Sequence, residues 1–387
     1  MYKIAVFNRI CEKGLALLPD ENYKLTGEET NGAEGILVRS AKLHDLEMPD
    51  SIRGIARAGA GTNNIPVIEC SNKGIVVFNT PGANANAVSE LTILGLLLSS
   101  RKVYEGIEWT KTLQGDVEKK VEKGKEQFAG PELKGKTLGV VGLGAIGVLA
   151  SNSGIKLGMK VIGYDPYVSV KNAIGLSWDM KYAENIEELL AKADYITLHL
   201  PLVKETTEFI NKEKIDKMKD GVKILNFSRS SLVNEDDVIN ALDSSKVSKY
   251  VTDFPTEKIL KNPKAVCLPH LGASTPEAEE NCAIMAVSQL KDFLENGNIK
   301  NSVNFPNCSL DRNPGTVRIT VINKNVPNMI GALTGVLAKY HINIIEMVNK
   351  SKGDYAYNIL DVSGFVTEEN LYEIRHIDGI LRVTYLP

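Results

Sequence analysis

Shortages in this 387-residue chain exclude several classes of protein before any motif is considered. Its five cysteines, Cys11, Cys70, Cys267, Cys282 and Cys308, are odd in number, widely spaced and form no Cys-x-x-Cys pair. A disulfide framework or zinc site is therefore not indicated, and no metal is expected. A reduced, cytoplasmic setting is the simpler expectation. The formal net charge is only -3, which gives no global basic field and argues against a nucleic-acid binder. Long apolar runs are also missing. The longest, around residues 91–98, is short and interrupted by Thr92 and Gly95, so no membrane partner is expected. Residues 1–10 lack a basic segment followed by an apolar one and read as a first strand rather than a signal peptide. There are no short repeats and no low-complexity tract. Apolar residues make up 43% and charged residues 24%, which fits folded cores. At roughly 100–200 residues per domain, two or three domains are expected.

Short apolar runs at 4–7, 35–38, 55–58 and 76–79 alternate with helical segments, a pattern that implies a parallel sheet covered on both faces. A long helix over 88–100 then leaves this unit. A second series places strands at 137–141, 160–164, 195–198, 223–227, 250–253 and 265–268, as in a dinucleotide-binding sheet. Thr275-Pro276-Glu277 opens a helix to about residue 294, with Thr as cap, Pro in the first turn and Glu at the positive end. Residues 296–315, rich in Asn, Pro, Gly and Ser, read as a linker. Beyond them the order βαββαβ predicts a ferredoxin-like domain. The fold class expected is thus α/β: two Rossmann-like doubly wound domains and a ferredoxin-like third. The boundaries are 1–98 with 275–310 for a discontinuous substrate-binding domain, 99–274 for the dinucleotide domain and 316–387 for the last.

Chemistry first shows in Gly142-Leu143-Gly144-Ala145-Ile146-Gly147, which follows a strand and opens a helix. Gly142 permits a tight turn, Gly144 admits backbone to a pyrophosphate, and Gly147 lets helix pack on strand. The free N–H groups of Ala145 and Ile146 and the helix dipole suit phosphates. The next strand ends in Asp165, about 20 residues on, where a carboxylate accepts from ribose hydroxyls and repels a 2′-phosphate. NAD is favoured over NADP. Three further strands run into polar residues at the edge where open α/β sheets bind ligands. These are Ser228-Arg229-Ser230, the Asp253–Glu257 stretch, and Pro269-His270-Leu271-Gly272. An anion clamp, an orienting carboxylate and an acid/base are the readings for Arg229, Glu257 and His270.

Together with His199-Leu200-Pro201-Leu202, Asn226-Phe227-Ser228-Arg229 and Pro269–Ser274, these motifs make residues 1–310 resemble the D-isomer-specific 2-hydroxyacid dehydrogenases. The resemblance implies that Arg229 holds the substrate carboxylate, His270 takes the 2-hydroxyl proton and Glu257 supports His270. It also implies that His199, Pro201, Phe227, Ser228, Asp253, Gly272 and Ala273 line the cofactor. Three departures stand out. Phe227 replaces a usually small residue, Ser230 replaces a frequent Gly, and the Asp253–Glu257 spacing is one residue short.

Arg39 and Arg57 each follow a strand, so both are expected to share one cleft with Arg229 and to suit a substrate bearing carboxylate and phosphate. Gly59-Ala60-Gly61 offers backbone N–H groups as a small nest. The segments around Arg39, Ser40, Arg57, Ala60, Gly61 and Asn84 resemble the phosphoglycerate-oxidising group of that family, which implies 3-phospho-D-glycerate as substrate. Lys125, where the group often has Arg, is the residue expected to reach over from a second subunit of a dimer or tetramer. Residues 317–387 resemble an ACT domain, which implies that Asn323, Asn325 and Asn343 hold L-serine as effector; a purely oligomerising role is the alternative. Asn323 stands for a frequent His and Asn328 for a Gly, and Asn can adopt positive φ. A hydroxypyruvate/glyoxylate or D-lactate reductase is the other enzymatic reading, and an NAD-sensing binding protein the non-enzymatic one.

Overall fold

The computed structural model describes residues 1–387 and divides the chain into two compact units. One comprises Met1–Ala83 and Glu279–Pro387, the other Asn84–Ala278.

In the first unit, five parallel strands form a sheet in the order Tyr23–Leu25, Tyr2–Phe7, Gly35–Val38, Gly54–Arg57, Val76–Phe78. The inner strands read as continuous apolar runs because both faces are covered. Ile4, Leu37 and Ala56 face one core with Leu290 and Phe293, while Ala5, Ile36 and Ile55 face another with Leu43 and Ile52. Tyr23–Leu25 has no counterpart among the expected strands; three residues carry too little alternation to read.

The C-terminal part of this unit is a four-stranded antiparallel sheet in the order Asn343–Lys352, Tyr355–Ser363, Val317–Lys324, Ile380–Leu386. With helices Met329–Lys339 and Glu368–Arg375 it follows the order βαββαβ. One face packs on the helices through Ile319, Val321, Leu333 and Leu360. The other shares a core with the rest of the unit, where Ile322, Tyr357 and Ile359 meet Leu294, Ile299 and Phe305. Arg318, fully buried, fixes this junction. Its guanidinium is bidentate to Asp361 at 2.6 and 2.8 Å and donates to the carbonyls of Asn296, Leu310 and Asp311, so all five N–H groups are used.

The expected linker at 296–315 is structured instead. Asn304 is buried and its amide bonds Val77 N–H and the Ile75 carbonyl at 2.9 Å, while Val303 N–H reaches the Val77 carbonyl. An amide side chain thus stands in for backbone along the last strand of the parallel sheet.

The second unit holds seven parallel strands in the order Ala265–Cys267, Val247–Thr252, Val222–Asn226, Tyr195–Leu198, Thr137–Val141, Lys160–Tyr164, Lys181–Tyr182. Counted along the chain, the order reverses between Thr137–Val141 and Tyr195–Leu198, the switch point at which Rossmann-like sheets take their ligand. Lys181–Tyr182 is an additional edge strand of only two residues. Helix Ala85–Ser100 also belongs here, although the boundary was expected at 98. Its Gly95 lies so close to the Phe227 ring that a Cβ would come within 2.8 Å. Helix Pro276–Asn296 begins as expected, with Thr275 Oγ1 accepting from Ala278 N–H at 3.1 Å.

Candidate functional site

The glycine loop sits at the switch point. Gly142 has φ +92°, and a Cβ there would lie 2.5 Å from the His199 carbonyl oxygen, so both backbone angle and space require glycine. A Cβ on Gly147 would collide with the Gly142 carbonyl. Gly144 caps helix Ala145–Lys156 with no side-chain cap, and a Cβ on it would meet nothing within 4 Å. The first N–H groups, at Ala145 and Ile146, thus open a helix with no side-chain cap and clear space beside Gly144, a cradle that fits a dinucleotide pyrophosphate. Asp165 follows the neighbouring strand and accepts from Leu143 N–H at 2.8 Å and Tyr167 N–H at 2.9 Å. Those bonds hold the carboxylate beside the loop.

Strands to the other side of the switch point bring up the remaining residues. His199 follows Tyr195–Leu198. Its Nε2 meets the Thr197 hydroxyl at 3.1 Å, its Nδ1 is buried without a partner, and burial pushes the imidazole down to about 4. Pro201 lies exposed two residues on. Ser228 is anchored through its hydroxyl to the Leu198 carbonyl at 2.7 Å. Asn226 accepts from Ser228 N–H and donates to the Arg229 carbonyl, so the turn carrying Arg229 is bonded from within. The Arg229 guanidinium, half-buried, donates to the Ser228 carbonyl at 2.6 Å. Phe227 departs from a small residue because Gly95 makes room: its ring is buried against that helix, leaving only its backbone for any ligand.

His270 is exposed in the loop after Ala265–Cys267, and the edge of one ring meets the other between it and Phe254, with centroids 4.9 Å apart. Asp253 is 1% exposed, and its carboxylate oxygens make no hydrogen bond of good geometry, although its own and the Gly272 backbone N–H groups lie near enough to favour its charged form. Burial raises its carboxyl above the usual range, against the opposing fields of His270 and Arg229. Gly272 packs beside it, and Ala273 follows half-buried. Glu257 is not brought to His270, contrary to expectation. Its side chain is 93% exposed and lies 3.9 Å from Lys261 on the surface. The carboxylate whose field reaches His270 is that of Asp253.

In the first unit, Arg39 and Arg57 lie at the C-terminal edge of adjacent parallel strands. Arg39 pairs with Glu279 at 2.5 Å, both side chains being partly exposed, and its carbonyl accepts from Arg57 Nε at 3.0 Å. Ser40 N–H is held by Asn8 Oδ1. The Ala60 carbonyl accepts from Asn79, and Gly61 is half-buried. Asn84 opens helix Ala85–Ser100 without a side-chain cap bond. Lys125 is exposed and ion-paired with Glu122 in a segment where helices Val103–Lys111 and Val117–Gly124 bury no residue.

In the C-terminal sheet, Asn323 is buried, bonded to Asn358 and to the Lys324 carbonyl, and so is closed to a ligand in this arrangement. Asn325 donates to the Gly353 carbonyl, and Asn343 is exposed at the start of an edge strand. Asn328 has φ +66°, so it takes the left-handed turn for which the sequence offers no glycine.

Comparison with known proteins agrees with this geometry. Residues 94–272 match the family described as D-isomer specific 2-hydroxyacid dehydrogenase, NAD binding domain. A D-3-phosphoglycerate dehydrogenase of Methanocaldococcus jannaschii is 33% identical over 330 residues, covering 81% of this chain; the chain spans 61% of that relative's length. One from Dictyostelium discoideum is 30% identical over 337 residues, covering 84% of this chain and 79% of the relative. The NAD+-bound crystal structure of the Entamoeba histolytica 3-phosphoglycerate dehydrogenase matches with a TM-score of 0.61 and 30% identity, over 78% of this chain and 98% of that one. By this similarity, and by the glycine loop at the switch point of its parallel sheet, the chain belongs to the D-isomer specific 2-hydroxyacid dehydrogenase family.

Proposed function

We propose that this protein oxidises 3-phospho-D-glycerate at C2 to 3-phosphooxypyruvate with NAD, the first committed step of L-serine biosynthesis. The observation that carries the reading is the placement of Arg229 and His270 in loops at the C-terminal edge of one parallel sheet, beside a glycine loop backed by Asp165. The names of the similar relatives supply the substrate. NAD, when bound, supplies the hydride acceptor. Gly144, Ala145 and Ile146 would hold its pyrophosphate and Asp165 its ribose hydroxyls. Arg229 grips the substrate carboxylate bidentately and stabilises the 2-oxo group as it forms. His270 takes the 2-hydroxyl proton as hydride leaves C2, which gives the oxo acid and one released proton. Asp253, buried in the field of His270, stabilises the cation that forms there.

NADH formation from 3-phosphoglycerate, measured beside D-glycerate, D-lactate and 2-hydroxyglutarate, tests the reading. His270→Ala should lose about 10²–10⁴-fold in turnover with NADH affinity retained. Turnover close to wild type in that variant would remove His270 from the chemistry.

Substrate binding by Arg39, Ser40, Arg57, Ala60, Gly61 and Asn84, with residues 1–98 and 275–310 as one functional domain, is part of the same proposal. So is a homo-oligomer, supported by Val103, Tyr104 and Ile107, which lie exposed on a helix that buries no residue, with Lys125 reaching a neighbouring subunit. A cytoplasmic location belongs to it too; no helix is long and apolar enough to cross a membrane. Residues 316–387 are proposed as an ACT-type regulator that senses L-serine through Asn325 and Asn343, with Asn323 needing to leave its bond to Asn358.

A further inference from the structure

Two arginines meet where the parallel and antiparallel sheets of the first unit join, at the N-terminal edge of the parallel strands and away from Arg39 and Arg57. Arg53 directly precedes strand Gly54–Arg57. Its backbone is pinned there: its N–H donates to the Glu34 carbonyl at 2.8 Å and its carbonyl accepts from Val76 N–H at 3.0 Å. Arg382 comes from Ile380–Leu386, the edge strand of the antiparallel sheet. Its Nη1 donates to the Asp50 carbonyl at 3.1 Å and its Nη2 to the Lys73 carbonyl at 3.2 Å, so it crosses to the turns before strands Gly54–Arg57 and Val76–Phe78. Gly74 permits that approach, with φ +63° and room for no more than a hydrogen: a Cβ on it would lie 3.0 Å from Arg382 Cβ.

The charges at this seam are unmatched. Arg53 Nη2 donates only to the Leu294 carbonyl, at 3.4 Å, and its guanidinium stands 5.8 Å from the centre of the Phe293 ring. Neither arginine forms an ion pair with a carboxylate. Burial and the neighbouring Arg53 charge push the Arg382 guanidinium down, against the field of Asp50. The Nε of each arginine is enclosed without a hydrogen-bond partner, and so is the hydroxyl of Ser51 in the turn between Asp50 and Arg53. A buried polar group left unpaired is costly unless a ligand pairs with it. Arg318, at the same junction, is the contrast: its charge faces Asp361 and all its N–H groups are used. Arg53 and Arg382 are half-buried rather than sealed, so a small ligand can approach them.

We propose that Arg53, Arg382 and the Ser51 hydroxyl form an anion site on the seam between the two sheets, which takes a small oxyanion, a phosphate or a short dicarboxylate. Guanidinium groups bind either oxyanion through paired N–H groups, and the negative charge relieves the repulsion between the two arginines. Because one arginine belongs to each sheet, the bound anion ties the antiparallel sheet to the parallel one. The site is independent of the substrate assigned above and lies at the opposite edge of the parallel sheet from Arg39 and Arg57.

The test uses the full chain as wild type, Arg382→Gln and Arg53→Gln. Thermal unfolding is followed by scanning calorimetry over a range of inorganic phosphate, of malonate and of chloride at equal ionic strength. Phosphate or malonate should raise the Tm of wild type above its value in chloride, as a ligand of the folded state does. The affinity drawn from the concentration dependence should fall about tenfold or more in each variant. Anion bound elsewhere on the chain acts alike on all three proteins and drops out of the comparison, and no readout needs turnover. Arg382→Lys, which restores the charge, should recover part of the response. If Arg382→Gln fails to fold, Arg53→Gln decides alone. A response to only one of the two anions keeps the site and names its ligand class. The same response in wild type and the Gln variants, or a wild-type Tm that does not distinguish the anions from chloride, would overturn the site.

Discussion

Mild acid should loosen the dinucleotide unit through one side chain, His199. Its imidazole is pushed by burial from 6.5 down to about 4, with Nδ1 enclosed and unpartnered. In the unfolded chain the same ring takes a proton near its ordinary value. Below that pH the unfolded state binds more protons, so stability falls as pH falls. The contribution is whole above pH 6.5 and is lost progressively toward pH 4. Integrating between the two values gives roughly 2 kcal/mol lost from pH 8 to pH 5, and roughly 3 kcal/mol at the acid limit. His199→Gln keeps a polar group beside Thr197 and cannot titrate. Scanning calorimetry at pH 8, 7, 6 and 5, chosen because it resolves the transitions of a two-unit chain, should show a steeper acid loss in wild type than in the variant. Parallel pH profiles for the two proteins would refute the reasoning, because the slope would then come from carboxylates elsewhere.

Other perturbations test separate features. Asp361→Asn leaves the fully buried Arg318 with an unmatched charge, and should cost about 3–5 kcal/mol in the first unit by calorimetry or urea unfolding; a loss under about 1 kcal/mol would show that the carbonyls of Asn296, Leu310 and Asp311 suffice. Asp165→Ala removes the carboxylate that repels a 2′-phosphate, so the ratio of NAD to NADP affinities should fall; an unchanged ratio would place ribose recognition elsewhere. Asn343→Ala should abolish inhibition by L-serine while sparing uninhibited turnover, since only a differential affinity between two arrangements can regulate. Wild type that neither binds serine in a calorimeter nor slows in its presence would remove the effector proposal.

What the sequence made legible was local. The glycine loop is an example: backbone angle, steric room and helix start all fall within six residues, and each narrows the choice of side chain on its own. The strand ends that carry Arg229 and His270 were legible for the same reason, since apolar runs stop where polar residues begin. Strands Tyr23–Leu25 and Lys181–Tyr182 were illegible because two or three residues show no period. Residues 296–315 misled through composition. Asn and Pro are turn formers, but here Asn304 uses its amide to extend the parallel sheet, and the polar stretch is an ordered edge.

Charges proved hardest to place, and the reason is distance along the chain. Arg39 and Arg57 are alike in sequence, each closing a strand of one sheet. Arg39 meets Glu279, 240 residues away, on a helix that returns from the other unit. Arg57 folds over a glycine two residues on. Nothing local separates them, yet the first pairs with that distant glutamate and the second bonds the Arg39 carbonyl beside it. Glu257 and Asp253 show the same effect at short range. One carboxylate lies out beside Lys261 and the other is buried in the field of His270, though only three residues separate them. A motif fixes which charged residues are present at the ligand edge. Which partner each one meets is decided by distant residues and loop lengths that the motif does not contain. For that reason the Asp361 substitution, which probes the partner of a buried charge, says more about this protein than another substitution within the glycine loop would.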